Sequence, residues 1–265
     1  MSEMTNSHMP PRFKRPSLLT WLGWLVFLTL FIMGIQHGGV SIDRLSTGFV
    51  NMIHFISTAF PPDPSRFSSI SAAMYETFQI ALVGTVFGVI ISLPVALLAS
   101  RNTTIHPVVG YATKGIVSVL RTIPDLVWAL IFVISIGLGP LAGILTITVD
   151  TIGFCARFFS ERIEEIEKGP SEALESTGGS KLGVMSGSIL PIGFASFVGT
   201  SLFSVEKAVR SAVILGLVGA GGIGVELSTS MTLRRFDEAL MIIILILVVV
   251  IVVEQVSQRI RKRLI

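Results

Sequence analysis

The chain has 265 residues, of which 51% are hydrophobic and only 14% charged, and its mean hydropathy is +0.78. Water-soluble domains carry about 25% charged residues, so this composition excludes a soluble domain and points to a polytopic membrane protein. The net charge of +3 comes without an aromatic-interleaved basic patch, which speaks against nucleic acid, and the single Cys155 excludes an internal disulfide and a cysteine-rich metal site.

Crossing the hydrocarbon core takes roughly 20 apolar residues. Six stretches qualify: 17–36, 76–100, 119–136, 141–160, 189–207 and 238–257. The first follows Arg12, Lys14 and Arg15 and is longer than a signal-peptide core, with no small-residue cleavage site closing it. It reads as a membrane helix. Residues 45–60 repeat apolar side chains every three or four positions (Leu45, Phe49, Met52, Ile53, Ile56) and end at Pro61-Pro62-Asp63-Pro64. That pattern fits an amphipathic helix on the outer membrane surface, or a plain connecting helix. Residues 108–120, interrupted by Lys114, fit the inner interface and lead into the third span. The last span is apolar throughout Ala239–Val253.

Lysine and arginine placement sets the orientation. With the N-terminus inside, the inner segments hold Arg12, Lys14, Arg15, Arg101, Lys114, Arg121, Arg157, Arg162, Lys168, Lys181, Arg259, Arg261, Lys262 and Arg263. The outer segments hold only Arg44, Arg66, Lys207, Arg210, Arg234 and Arg235. Both termini are therefore expected in the cytoplasm, and so is the polar block after residue 160.

That block, 161–188, begins with Glu161, Glu164, Glu165 and Glu167 among basic residues. Ser171 is placed to cap a short helix starting at Glu172. Gly178 is placed to end it in a left-handed conformation. A second helix is expected from about Ser180 into the membrane. A short helix held across the membrane surface in this way is a rigid element that a partner can push; the bland alternative is a solvated helical loop.

Near the other side, Gly219, Gly221 and Gly224 make a formal GxGxxG. Dinucleotide binding also requires a preceding strand and an acid about 20 residues on, and the pattern here lies between membrane spans. Glycine-rich backbone at membrane depth belongs where it is buried in protein or lines an aqueous cavity. Glu206 and Arg210 stand four apart and are expected to pair on one helix face, near the outer end of the fifth span or in a wet cavity. Arg210 either attracts an anionic substrate or completes a structural ion pair. Asp150, in the middle of the fourth span, must pair or face the interior, and a structural hydrogen bond is the preferred reading. Thr122 and Pro124 lie at the start of the third span, where Pro fits the first helical turn and Asp125 suits the helix dipole. The same residues could orient a broken helix at a pathway. His8, His37, His54 and His106 are scattered, so no metal site is expected, and no phosphate-binding loop for ATP is present.

Glu172-Ala173, Gly178 and Leu190-Pro191 fall in register with the signature loop of ABC-importer permeases, which the segment Glu172–Pro191 resembles; Leu174 and Ser188 depart from its pattern. The stretches 121–133, 137–143 and 215–224 resemble permeases of phosphonate ABC importers, and the similarity runs over about 70–265. The resemblance implies an all-α polytopic membrane protein of about six transmembrane helices with the type I ABC-importer fold. It divides into an N-terminal part, 1–75, and a permease core, 76–265. It also implies a homodimer, two cytoplasmic ATPase subunits that bind ATP and Mg, and an extracytoplasmic substrate-binding protein. This chain itself would carry no cofactor and no enzymatic activity. Glu172, Ala173, Leu174, Glu175 and Gly178 would couple to the ATPase, with Arg210, Glu206, Thr122, Pro124, Gly219 and Gly221 along the pathway. The substrate class would be phosphonate, phosphate or phosphite, moved by alternating access. Competing readings are a permease for another solute, such as methionine or another amino acid, and a membrane-embedded enzyme or channel. Neither paired acids with a nucleophile nor a charge ring supports the last.

Overall fold

The computed structural model describes residues 17–264, and the basic tail with Arg12, Lys14 and Arg15 lies outside them. Eleven α-helices and no strand occur among the described residues: α1 Leu18–His37, α2 Ile42–Ala59, α3 Phe67–Ala99, α4 Pro107–Thr122, α5 Asp125–Ile136, α6 Pro140–Glu165, α7 Lys168–Ser176, α8 Lys181–Val184, α9 Leu190–Gly216, α10 Ile223–Thr232 and α11 Phe236–Leu264. Among the described residues, five helical stretches are long and apolar enough to cross a membrane, and six if the bent pair α4–α5 counts as one.

Two units form, one up to Ser57 and one from Thr58 onward. In the first, α1 starts at Ser17, whose hydroxyl accepts from the Thr20 amide at 3.3 Å. α1 is long and apolar enough to cross a membrane, with no marked polar face. The amphipathic pattern at 45–60 becomes α2.

The second unit is built around α3 and α6. Successive contacts of Ile80 with Gly143, Gly84 with Ile147 and Gly88 with Thr151 show that these helices run parallel. Glycines let the backbones approach closely enough for the Thr148 hydroxyl to donate to the Gly84 carbonyl at 3.2 Å. A Cβ on Gly88 would collide with Thr151, whereas Gly115 on α4 faces open space. Gly88→Leu is therefore expected to destabilise the bundle by at least about 1–3 kcal/mol, read as a lowered Tm in detergent, with Gly115→Leu unchanged.

The third span differs from its predicted form. The apolar run 119–136 is continuous in sequence, yet α4 and α5 meet at 87°. Pro124 excludes a helical conformation at Ile123, which is extended (φ −76°, ψ 122°). The helix thus stops at Thr122 and restarts at Asp125. Both pieces pack on α6: α4 lies antiparallel to it, with Lys114 2.7 Å from Glu164 and Arg121 against Gly153.

The fifth span is longer than its predicted 189–207. Helix runs from Lys181 to Gly216 through a widened turn at Met185–Ile189, where the Leu190 amide reaches back to the Met185 carbonyl. Pro191 lacks an amide and crowds the carbonyl four residues earlier; shifting the ladder by one residue just before it lets the helix continue. α9 lies antiparallel to α6, with Phe197 on Phe159 and Cys155 3.0 Å from Ser204. At the end opposite α7, Arg66 pairs with Glu226 at 2.9 Å and Glu238 at 3.3 Å, tying the start of α3 to α10 and α11. In the approach to α3, the Ser65 hydroxyl and amide both donate to Asp63 and hold its carboxyl below the ordinary carboxylate range.

Candidate functional site: a surface helix, a glycine turn and charges inside the bundle

The helix α7 begins at Lys168, one turn earlier than predicted. Ser171 is therefore not its cap but an inner-face residue, its hydroxyl 3.2 Å from that of Ser188. Leu174, one turn on, is half-buried with its methyl against Gly187. The two departures from the signature pattern, Leu174 and Ser188, thus both lie where α7 seats on the widened turn. Helical geometry turns Glu172, Ala173, Glu175 and Ser176 outward, and all four are exposed. Gly178 ends the helix at φ +84°, with its amide donating to Glu175 and that of Gly179 to Leu174. Ser180 caps α8 by accepting from the Gly183 amide at 3.2 Å. A cavity of about 290 Å³ separates α7 from the end of α3, lined by Arg101, Asn102, Lys168, Ser171, Glu172 and Glu175 among others.

At the far end of α9, the glycine run forms a turn between two helices. Gly219, Gly221 and Gly222 all have φ between +74° and +90°. The Gly219 carbonyl accepts from the Gly139 amide at 2.9 Å. The α10 N-terminus is capped from a distance: Glu76 accepts from the Gly222 amide at 3.2 Å and Thr77 from the Ile223 amide at 2.7 Å. The pattern is therefore helix-turn-helix rather than strand-turn-helix. Beside it lies a cavity of about 380 Å³ bounded by Glu76, Pro140, Gly219, Gly221 and Glu226 among others.

Between these ends the bundle holds charges. Asp150 has the partner its position demands: Lys207 approaches its two oxygens at 2.7 and 2.9 Å. The expected Glu206–Arg210 pair does not form. Glu206 is buried at 6% exposure and accepts instead from Arg261 of α11 at 2.6 Å, while Arg210 is exposed and has no ion-pair partner among the described residues. Nor do Glu206 and Lys207 mark the end of a span. Lys207 is level with Asp150, near the middle of α6, and Ser211 donates to Asp125 at 2.9 Å beside the α4–α5 break. Arg121, counted with the inner segments, likewise sits beside Gly153, halfway along α6. The lysine and arginine asymmetry keeps its direction without these residues.

Thr122 is the last residue of α4, its hydroxyl donating to the Ser118 carbonyl at 2.8 Å, and Pro124 opens α5. The fold brings Thr122 and Pro124 to the level of Arg210, through Asp125 and Ser211. It gathers Gly219 and Gly221 around Glu76. The α7 residues stand apart from both, since Ile189 to Arg210 spans roughly 30 Å of helix.

The profile of the family described as binding-protein-dependent transport system inner membrane component matches residues 84–265. The chain belongs to this family. It is similar to the phosphite transport system permease protein PtxC of Stutzerimonas stutzeri, 31% identical over 249 residues that cover 91% of this chain and 90% of that protein. It is also 36% identical over 206 residues to the phosphate-import permease protein PhnE of Mycolicibacterium smegmatis, covering 76% of this chain but 39% of that protein. The permease therefore spans well under half the length of the mycobacterial protein. Among solved structures, the inward-facing MetNI methionine ABC transporter superposes with a TM-score of 0.67 at 20% identity, over 77% of this chain and 99% of that one. The fold is that of type I ABC-importer permeases, and the permease is a multi-pass protein of the inner membrane, of the phosphonate-type branch.

Sequence reasoning passed over Glu76, Thr77 and Arg261 in this permease, and it left Lys207 unpaired. For the Asp150–Lys207 pair a signal existed on one side: Asp150 is a lone carboxylate in an apolar span and needs a partner, whereas Lys207 has Glu206 and Arg210 close by in sequence, which hid its role. For Glu76 no local signal existed, because its partner is a backbone amide 146 residues away.

Proposed function

We propose that this chain is the membrane subunit of an ATP-driven importer for a small phosphorus oxyanion, working by alternating access, with residues 76–265 as its moving core. The carrying observation is mechanical. α7 offers one polar face outward and seats its other face on the base of the continuous helix Lys181–Gly216, which reaches the charges inside the bundle. A displacement of α7 therefore passes directly into α9. Glu172, Ala173, Glu175 and Gly178 form the surface for a separate cytoplasmic ATPase that binds ATP and Mg, while Leu174 holds α7 to its seat. Both termini lie in the cytoplasm, two copies of the chain form the pathway, and an extracytoplasmic binding protein delivers the anion to the end that carries the glycine turn.

Similarity to relatives named for phosphite and phosphate import supports the substrate class. Arg210, without an ion-pair partner among the described residues and level with the broken helix at Thr122 and Pro124, supports a pathway for an anion. Discontinuous helices commonly line transport sites near the membrane midplane. In proteoliposomes holding the permease, its ATPase and its binding protein, uptake of phosphite, phosphate or methylphosphonate is expected to require internal ATP. Arg210→Gln should slow that uptake several-fold. ATP-independent uptake would contradict the importer reading, and an unchanged rate in the variant would remove Arg210 from the pathway.

A further inference from the structure

The middle of α6 carries an aromatic pair, Phe154 and Phe158, with ring centroids 4.6 Å apart, and Phe203 of α9 stacks on Phe154 at 5.7 Å. Each ring of the pair faces a cation. The Arg121 guanidinium lies 5.9 Å from the Phe158 centroid and the Lys207 ammonium 5.4 Å from that of Phe154. A cavity of about 420 Å³ opens beside the same rings and is lined as well by Ser196, Thr200 and Arg261.

The cations differ in how they are balanced. Lys207 is neutralised by Asp150 and Arg261 by Glu206. Arg121 is exposed and has no carboxylate partner among the described residues. Its backbone lies against Gly153, halfway along α6, in the last turn before the helix break. An uncompensated guanidinium at that depth is costly against lipid and is tolerated facing water or a partner charge. Its contact with Phe158 steadies the side chain without consuming its N–H groups, because a cation held over a ring is attracted by the ring's quadrupole and not by a hydrogen bond. A planar guanidinium with free donors fits two oxygens of a tetrahedral oxyanion. The start of α5 does not compete for that role, since its own Asp125 occupies it.

We infer that Arg121, held on the Phe158–Phe154 platform, is the residue that contacts the oxyanion in mid-passage, with Lys207 as the next cation and Asp150 as the counter-ion that the substrate displaces. This rests on the oxyanion-importer reading and names its site. With Asp150 in place the resting bundle is locally neutral at Lys207; an anion arriving from Arg121 competes with Asp150 for the ammonium, so its stay there is brief and Asp150 pairs with Lys207 again once the anion has left.

The test uses the reconstituted transporter with permease, ATPase and binding protein, and inorganic phosphate, phosphite and methylphosphonate as probes. Arg121→Gln is expected to lower uptake of the transported probe at least about tenfold, and Arg121→Lys to recover part of it. ATPase stimulation by the loaded binding protein should stay within about twofold of the native value, because docking and coupling lie elsewhere. Native-level uptake in Arg121→Gln would overturn the inference, as would a parallel fall in stimulated ATPase, which would make Arg121 a structural or coupling residue. A native complex that transports none of the three probes would instead sink the oxyanion-importer reading beneath it.

Discussion

Glu206→Ala is expected to destabilise the folded permease by about 3–5 kcal/mol, the cost of leaving one member of a buried ion pair alone. Glu206 is 5% and Arg261 25% exposed by side chain, and they meet at 2.6 Å. The pair is the polar bond that fixes the basic end of α11 to α9. Removing the carboxylate strands the Arg261 guanidinium without a counter-ion beside a cavity that Phe154, Phe158 and Phe203 line together with Ser196 and Thr200. The double variant Glu206→Ala with Arg261→Met should recover most of the loss, because it removes both charges together. Thermal unfolding in detergent distinguishes the outcomes. A single variant as stable as the native protein would show that water or lipid headgroups replace the pairing.

Gly178→Pro is expected to abolish ATP-driven uptake and co-purification of the ATPase. Gly178 sits at φ +84°, a region proline cannot enter because its ring fixes φ near −65°. Proline also deletes the amide that closes α7 on Glu175 at 2.9 Å. The helix would fray, and the surface of Glu172, Ala173 and Glu175 would lose its shape while the membrane helices stay folded. Glu172→Lys tests the same surface by charge reversal without touching the backbone and should weaken association less severely. Intact association and uptake in both variants would dismiss α7 as the lever.

Much of the fold is readable because it depends on local chemistry. The last span is apolar for 15 consecutive residues, Ala239–Val253, and no other reading competes with α11. Gly178 and Ser180 act within a few residues of themselves, so their conformations followed from residue type alone. The broken third span carried its own signal, since the residue before a proline avoids the helical region; a broken helix at Thr122 and Pro124 is one of the two readings the sequence allows, although the continuous apolar run favours a single span. The choice of partner was not readable. Glu206 has a sequence neighbour of opposite charge four residues on, yet burial turns it to Arg261, 55 positions away. Arg121 looks like an arginine at the inner start of a span until α4 folds back along α6. Pairings of this kind are decided by which faces meet, and a single sequence holds no record of that.

The most direct test of the lever is the side of the membrane on which it lies. With Ala173→Cys as the reporter and the buried Cys155 left in place, a membrane-impermeant maleimide should label Ala173→Cys only when it has access to the cytoplasmic face, and bound ATPase should block the reaction. Labelling from outside intact cells would contradict the account.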